Sequence, residues 1–561
     1  MEKPSVKLKY LTTALAAVLC VAGPGTGLAQ DAAPPAQKVT AATPPPKLIV
    51  MISVDQFSAD LFAQYRGHFT GGLARLASGV VFPSGYQAHG ATETCPGHST
   101  ILTGNHPAHT GIIANNYFDL SAAREDKRLY CAEDEKVPGT SSGSGKYAPS
   151  VDHLLVPTLG DLMKARDPNA QVVSVAGKDR AAIMMGGRKA DELLWLAPTG
   201  LTSYRGTPLS PTATQAGAAI AAAIAQPRQG LPLPADCSGQ DVAIPVGDRV
   251  VGNGRLARDG GDFRRFMASP EADGAVLAAG AALRQARKLG EGSTTDLLIL
   301  GLSATDYVGH GFGTEGTEMC LQIMGLDREL GDFFARLDAT GIDYAVALTA
   351  DHGGHDIPER NRQNGWPAAT RVDTAINPDA IAKAVAEKLG LPEPLLYSDG
   401  PFGDMYLAKM LTVAQRKAAM AEFIARFRAF PQVEAVVTGE ELAARPISKE
   451  APDSWSMLDK LRASYNAQRS GDFIVVLKSR VTPIADMSRG YVATHGSVWD
   501  YDRRVPMLFW RKGLAGFEQS NAVMTVDILP TLASLIGLTV DASKIDGRCL
   551  DLISGPESSC R

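Results

Sequence analysis

The 561-residue chain lacks a basic excess: its formal net charge is −5, with 20% charged and 45% hydrophobic residues. That balance gives no evident nucleic-acid-binding surface, and with no long single-sign run there is no polyelectrolyte tail. No Cys-x-x-Cys spacing occurs, so a zinc–thiolate site has nothing to build on. No internal repeat recurs, which argues against a solenoid or array. The apolar run from Leu11 to Ala22 is too short to span a bilayer comfortably.

What is present at the N-terminus reads as targeting. Lys3, Lys7 and Lys9 precede the apolar run, and Gly27-Leu28-Ala29 resembles a small-x-small cleavage site. Cys20 would suggest a lipoprotein, but Leu19 stands where such sites want a small residue. Residues 1–29 are therefore expected to be a cleaved signal, leaving a secreted or periplasmic protein with no transmembrane anchor. Residues 30–46 form a Pro/Ala-rich linker with nothing to bury. Six cysteines remain after cleavage, an even number suited to three disulfides in an oxidising compartment. Six cysteines allow about fifteen pairings. The pairs expected here are Cys95–Cys131, Cys237–Cys320 and, clasping the 546–561 tail, Cys549–Cys560.

Four stretches share one grammar, a short apolar β-type run ending in charged or imidazole groups. They are Lys47–Asp55, Ala170–Arg180, Asp296–His310 and Val346–His355. Unbroken apolar runs such as Leu48–Val54 belong to strands buried on both faces, as in parallel sheets. The expected fold is α/β, a mostly parallel central sheet flanked by helices, over residues 47–545. Composition shifts at about 184–290 and 392–488 are read as inserted cap segments. In open parallel sheets, sites gather at the carboxyl ends of strands. An aspartate after a strand can also be a plain helix cap. Three such strand ends, two of them carrying histidine, point instead to divalent metal.

The candidate metal ligands are Asp55, Asp306, His310, Asp351, His352 and His495. Mixed imidazole and carboxylate donors suit zinc better than magnesium or calcium. Six side chains exceed one tetrahedral ion, so two Zn2+ per chain are expected. His310 lies four residues after Asp306, and the two converge if the loop opens a helical turn. Two zincs can bind the entering and leaving oxygens of a phosphoryl displacement. The hydroxyl nucleophile is then Thr94, placed just before a helix that carries Pro96 in its first turn; taken alone, Thr94 reads equally well as an N-cap. Asn115, Lys178 and Arg180 offer hydrogen bonds and positive charge to the remaining phosphoryl oxygens. Lys178 and Arg180 point the same way if that segment stays extended; a solvated turn is the plain alternative. His98, His106 and His109 read as packing residues.

The motifs Ser53-Val-Asp55, Thr94-Cys-Pro-Gly-His98, Asn115-Asn116, Gly177-Lys-Asp-Arg180, Thr305-Asp-Tyr-Val-Gly-His310, Ala350-Asp-His-Gly353 and Thr494-His-Gly496 together resemble the alkaline phosphatase superfamily. The similarity is to its type I phosphodiesterase/nucleotide pyrophosphatase-like branch and that branch's PafA-type bacterial alkaline phosphatases. The resemblance implies one zinc on Asp306, His310 and His495. It implies a second on Asp55, Asp351, His352 and the Thr94 oxygen, which would become phosphorylated. It implies Asn115 as a phosphate-binding amide and Lys178 with Arg180 as the monoesterase signature. Small phosphate esters are the implied substrates, with a weaker diesterase activity. A nucleotide pyrophosphatase/phosphodiesterase is the nearest alternative, and a non-catalytic secreted protein with structural metals is the alternative of another class. The Cys/Ser-x-Pro-x-Arg pattern of sulfatases is missing. The oligomeric state is not legible.

Overall fold

The computed structural model describes residues 44–488 and 490–560. The expected signal segment, and all but residues 44–46 of the linker, lie outside the described residues. Among the latter, no helix is long and apolar enough to cross a membrane.

Four strands with wholly buried side chains form the middle of the main sheet: β1 (Leu48–Val54), β2 (Val172–Ala176), β3 (Asp296–Leu302) and β4 (Tyr344–Thr349). They lie in the order β4–β1–β3–β2 and all run parallel. Glu192–Ala197 continues the parallel array beyond β2, and Arg504–Arg511 adds an antiparallel strand beside β4. Val80–Tyr86 pairs antiparallel with that last strand.

Alternation along β1 feeds two cores. Leu48, Val50, Ile52 and Val54 face a cluster shared with helices Pro270–Arg287 and Thr317–Asp338. Ile49 and Met51 face the other cluster, shared with helices α1 (Thr94–Ile101), α2 (Asp179–Gly186) and Ile528–Leu535. The result is an α/β/α sandwich in which a mostly parallel sheet is covered on both faces.

Of the stretch expected as an insertion at about 184–290, Glu192–Thr202 extends the main sheet and Pro270–Arg287 packs upon it. The stretch at about 392–488 contains a separate antiparallel sheet in the order Leu396–Ser398, Gly403–Leu407, Phe473–Leu477, Val433–Thr438. Its core joins Phe423 and Phe427 of helix Val413–Arg428 with Phe473. The three disulfides pair as expected: Cys95–Cys131, Cys237–Cys320 and Cys549–Cys560.

Candidate active site

Strand order decides which residues meet. Because β4, β1, β3 and β2 are parallel neighbours in matched register (Ser53 opposite both Thr349 and Gly301, and Gly301 opposite Ala176), their carboxyl ends finish level. Asp351 and His352 leave β4, Asp55 leaves β1, Asp306 and His310 follow β3, and Lys178 and Arg180 follow β2. Neighbouring strands lie about 4.8 Å apart, so side chains there come within contact of one another.

Asp306 and His310 sit one turn apart on helix α3 (Ala304–Phe312), with His310 Nε2 3.3 Å from Asp306 Oδ1. His495 arrives from a distant loop and brings its Nε2 to 3.3 Å from the same oxygen. On the other side, His352 Nε2 lies 3.4 Å from Asp55 Oδ1 and 3.4 Å from Asp351 Oδ2. The His352 and His495 rings stack at 3.6 Å, so the two ligand sets are contiguous.

Hydrogen bonds select the tautomers. Nδ1 of His310, His352 and His495 lies 2.9, 2.8 and 2.8 Å from the carbonyl oxygens of Ala493, Gly353 and Thr92. A carbonyl only accepts, so each Nδ1 carries a proton and Nε2 is the atom turned to the carboxylates, free to bind a metal once it gives up its own proton. Asp351 Oδ1 accepts the backbone N–H groups of Gln56 and His352 at 3.1 and 3.0 Å, which turns Oδ2 toward the cluster. Burial opposes ionisation of Asp351 and Asp306. Nevertheless His352 beside the first, and His310 and Lys178 beside the second, hold both carboxyls well below the usual range.

This donor set fits divalent metal. Asp55 Oδ1, Asp306 Oδ1 and His352 Nε2 are all buried without a hydrogen-bond partner. Unpaired buried donors of this kind are costly unless something binds them. The candidate ligands fall into two groups of mutually close ligand atoms, Asp55/Asp351/His352 and Asp306/His352/His495. His310 borders the second group through Asp306.

Thr94 is the first residue of α1, not the residue before it, and Pro96 is the third, where a missing N–H still costs nothing. The Thr94 hydroxyl oxygen lies 3.5 Å from Lys178 Nζ and 3.4 Å from Arg180 Nη2. The expected extended segment is replaced by the start of a helix, with Lys178 as its N-cap and Arg180 in its first turn. The two cations converge because the cap is still extended while the helix turns Arg180 back across it. Lys178 Nζ also lies 2.5 Å from both Asp55 Oδ2 and Asp306 Oδ2. Burial would lower the Lys178 pKa, but Asp306 and Asp55 outweigh it and keep the ammonium charged. Asn115 accepts the Cys95 N–H on Oδ1 at 2.8 Å, which fixes its side chain beside Thr94.

Several contributors were not legible in the sequence. Gln56 holds a left-handed backbone (φ 64°), which lets its N–H reach Asp351. Glu93 accepts the Asn115 N–H at 2.8 Å, and burial pushes its carboxyl up to about 7. Tyr130 and Tyr147 donate to Asp179 at 2.8 and 2.6 Å, bracing the turn that carries Arg180. His98, read as packing, places Nδ1 3.0 Å from Asp351 Oδ2. Its spacing of four residues from Thr94 was the available signal. His106 and His109 stay outside the cluster, the first edge-on to Trp455 and the second bonded to Asp546.

Residues 49–498 match the profile of the type I phosphodiesterase/nucleotide pyrophosphatase family. Alkaline phosphatase PhoK of Sphingomonas sp is 58% identical over 523 residues, 92% of this chain and 93% of the relative. Alkaline phosphatase PhoD of Zymomonas mobilis subsp. mobilis is 44% identical over 520 residues, 92% of this chain and 89% of the relative. The crystal structure of wild-type alkaline phosphatase PafA superposes with a TM-score of 0.78 at 24% identity, covering 92% of this chain and all of that one.

Proposed function

The chain belongs to the type I phosphodiesterase/nucleotide pyrophosphatase family, in its branch of PafA-type alkaline phosphatases, and on that premise we propose that it is a secreted two-zinc phosphatase hydrolysing small phosphate monoesters through a phosphorylated Thr94. The observation that carries this reading is the position of the Thr94 oxygen, 3.5 Å or less from Lys178 Nζ and Arg180 Nη2, the first of which also touches Asp55 and Asp306 of the two candidate ligand groups. Asp306, His310 and His495 would hold one ion, and Asp55, Asp351, His352 and the Thr94 oxygen the other. The chemistry zinc supplies when bound is Lewis acidity, which favours an ionised hydroxyl and stabilises charge on a departing oxygen.

The protein's own groups account for the rest. Lys178 and Arg180 favour the ionised Thr94 oxygen and meet the phosphoryl oxygens, Arg180 through its planar fork. Asn115 orients the phosphoryl group by hydrogen bonding. Thr94 attacks phosphorus, the ester oxygen departs, and water later cleaves the phosphothreonine to release phosphate and restore the hydroxyl. A monoester dianion presents more charge to the two cations than a diester monoanion does. This favours monoesterase action, with diester hydrolysis weaker, over the nucleotide pyrophosphatase/phosphodiesterase reading. A purely structural metal site would have no use for a lysine and an arginine converging on a threonine oxygen.

The test is metal content together with acid-quench trapping of ³²P from a labelled monoester, in wild type and Thr94→Ala. Two zincs per chain and label on Thr94, absent from the variant, are expected. One ion per chain, or undiminished hydrolysis by the variant, would overturn the reading.

A further inference from the structure

His98 is a buried imidazole that the phosphoryl chemistry leaves without a part. It follows Thr94 by four residues on α1, and only 1% of it is exposed. Its Nδ1 lies 2.9 Å from the carbonyl oxygen of Thr94 and 3.0 Å from Asp351 Oδ2. A carbonyl and a carboxylate only accept, so Nδ1 carries a proton, and that single N–H lies within reach of both. Nε2 is buried with no hydrogen-bond partner. Packing alone would treat the two ring nitrogens alike; here one has two acceptors and the other has none.

The two acceptors belong to residues of one proposed metal site. Asp351 Oδ1 accepts the backbone N–H groups of Gln56 and His352, which leaves Oδ2 for the Asp55/Asp351/His352 set. A carboxylate oxygen has two lone pairs, so an N–H on one leaves the other for an ion. Thr94 is the residue whose hydroxyl would complete that set. Gly97 and Gln87 draw the main chains of α1 and β4 together, the first by having no side chain, the second by donating to Ala350 O. Neither contact involves the Asp351 carboxylate. His98 reaches it, and ties it to the nucleophile's own main chain. Outer hydrogen bonds of this kind orient a metal ligand.

We propose that His98 is a positioning residue, whose Nδ1–H fixes the spacing between the Thr94 main chain and the Asp351 carboxylate. It thereby sets the geometry of the one zinc ion that Thr94 and Asp351 would share. The inference rests on the phosphatase reading above and adds to it the group that keeps nucleophile and metal ligand in step. The other ion, on Asp306, His310 and His495, does not depend on this bond.

The experiment holds zinc-loaded wild type, His98→Asn and His98→Gln in graded zinc buffers and counts the metal retained per chain. Asn puts its amide N–H where Nδ1 stands; Gln reaches toward the Nε2 position, where nothing accepts. His98→Gln should weaken one zinc site about 10- to 100-fold and spare the other, while His98→Asn should hold both within about threefold of wild type. A packing role predicts the opposite order, because Gln is nearer to His in length and volume. Equal weakening by the two variants, weakening of both sites together, or no weakening by either would overturn the role. ¹⁵N-histidine NMR of the zinc-loaded wild type tests it without relying on a variant's stability: the His98 Nδ1 must carry a proton, and an unprotonated Nδ1 would overturn the role. A wild type that holds one zinc, or a Thr94→Ala variant with undiminished hydrolysis, would instead remove the phosphatase reading, and with it the site that His98 serves.

Discussion

Gly97 is a point of close approach between α1, which carries Thr94, and the end of β4, which carries Asp351. A Cβ at this position would overlap the backbone carbonyl oxygen of Asp351. To restore the 3.0 Å below which real Cβ contacts essentially never fall, α1 and the end of β4 must separate by about 1 Å, a misplacement large enough to cost about 100-fold in rate. Neither side yields cheaply. Gln87 Nε2 donates to Ala350 O at 3.0 Å, and Thr100 Oγ1 bonds both Gly97 O and Gln87 Oε1, at 2.8 and 2.9 Å. The displacement therefore moves Thr94 and His98 relative to Asp351. Gly97→Ala should lower kcat/KM for p-nitrophenyl phosphate about 100-fold, about 2.7 kcal/mol of transition-state stabilisation. The overpacking itself should cost about 1–3 kcal/mol of stability. Steady-state kinetics at saturating zinc, with thermal melts and metal content alongside, separate the two effects. A folded, fully zinc-loaded Gly97→Ala with wild-type kcat/KM would refute the claim that close approach of α1 to β4 sets the nucleophile.

Lys178→Ala/Arg180→Ala should lose at least about tenfold more kcat/KM on p-nitrophenyl phosphate than on bis-p-nitrophenyl phosphate, because each charged hydrogen bond contributes about 1.5–3 kcal/mol and the dianion uses more of them. Equal losses on the two substrates would sink the monoester argument. Away from the site, the Asp546 carboxylate hydrogen-bonded to His109 raises the imidazole pKa. A raised folded-state pKa stabilises the fold fully below the unfolded value of about 6.5, and the gain is lost as pH rises through the folded value. Half the His109 side chain is exposed, so solvent screening holds the gain below about 1 kcal/mol. The melting-temperature gap between wild type and His109→Gln should shrink from pH 5.5 to pH 8.5; a gap that widened would contradict the assignment.

Much of the frame was legible because buried parallel strands write themselves as unbroken apolar runs. Leu48–Val54 forms with the bounds the pattern suggested, and Asp306 with His310 converges through the helical turn its spacing allowed. Cap and turn geometry was harder to read. Lys178 and Arg180 look like an extended pair in the sequence, yet the chain enters a helix between them. Gln56 gives no sign of its left-handed backbone, because nothing local requires it; the Asp351 carboxylate, 295 residues away, holds it there. Glu93 and the tyrosines that brace Asp179 act through bonds whose partners are remote in sequence or hidden in loops.

The amino-acid order by itself determined which elements form and which chemical groups stand at their ends, since burial on both faces selects apolar strands and leaves polar residues where they stop. Only the tertiary structure decided that four of those ends lie side by side, in the order β4–β1–β3–β2, with His495 brought in from a loop more than a hundred residues farther along the chain. Strand neighbours are chosen by how two cores pack against the sheet, and that competition is settled between segments far apart in sequence. The same packing pressed Gly97 onto Asp351, a contact that no local pattern encodes.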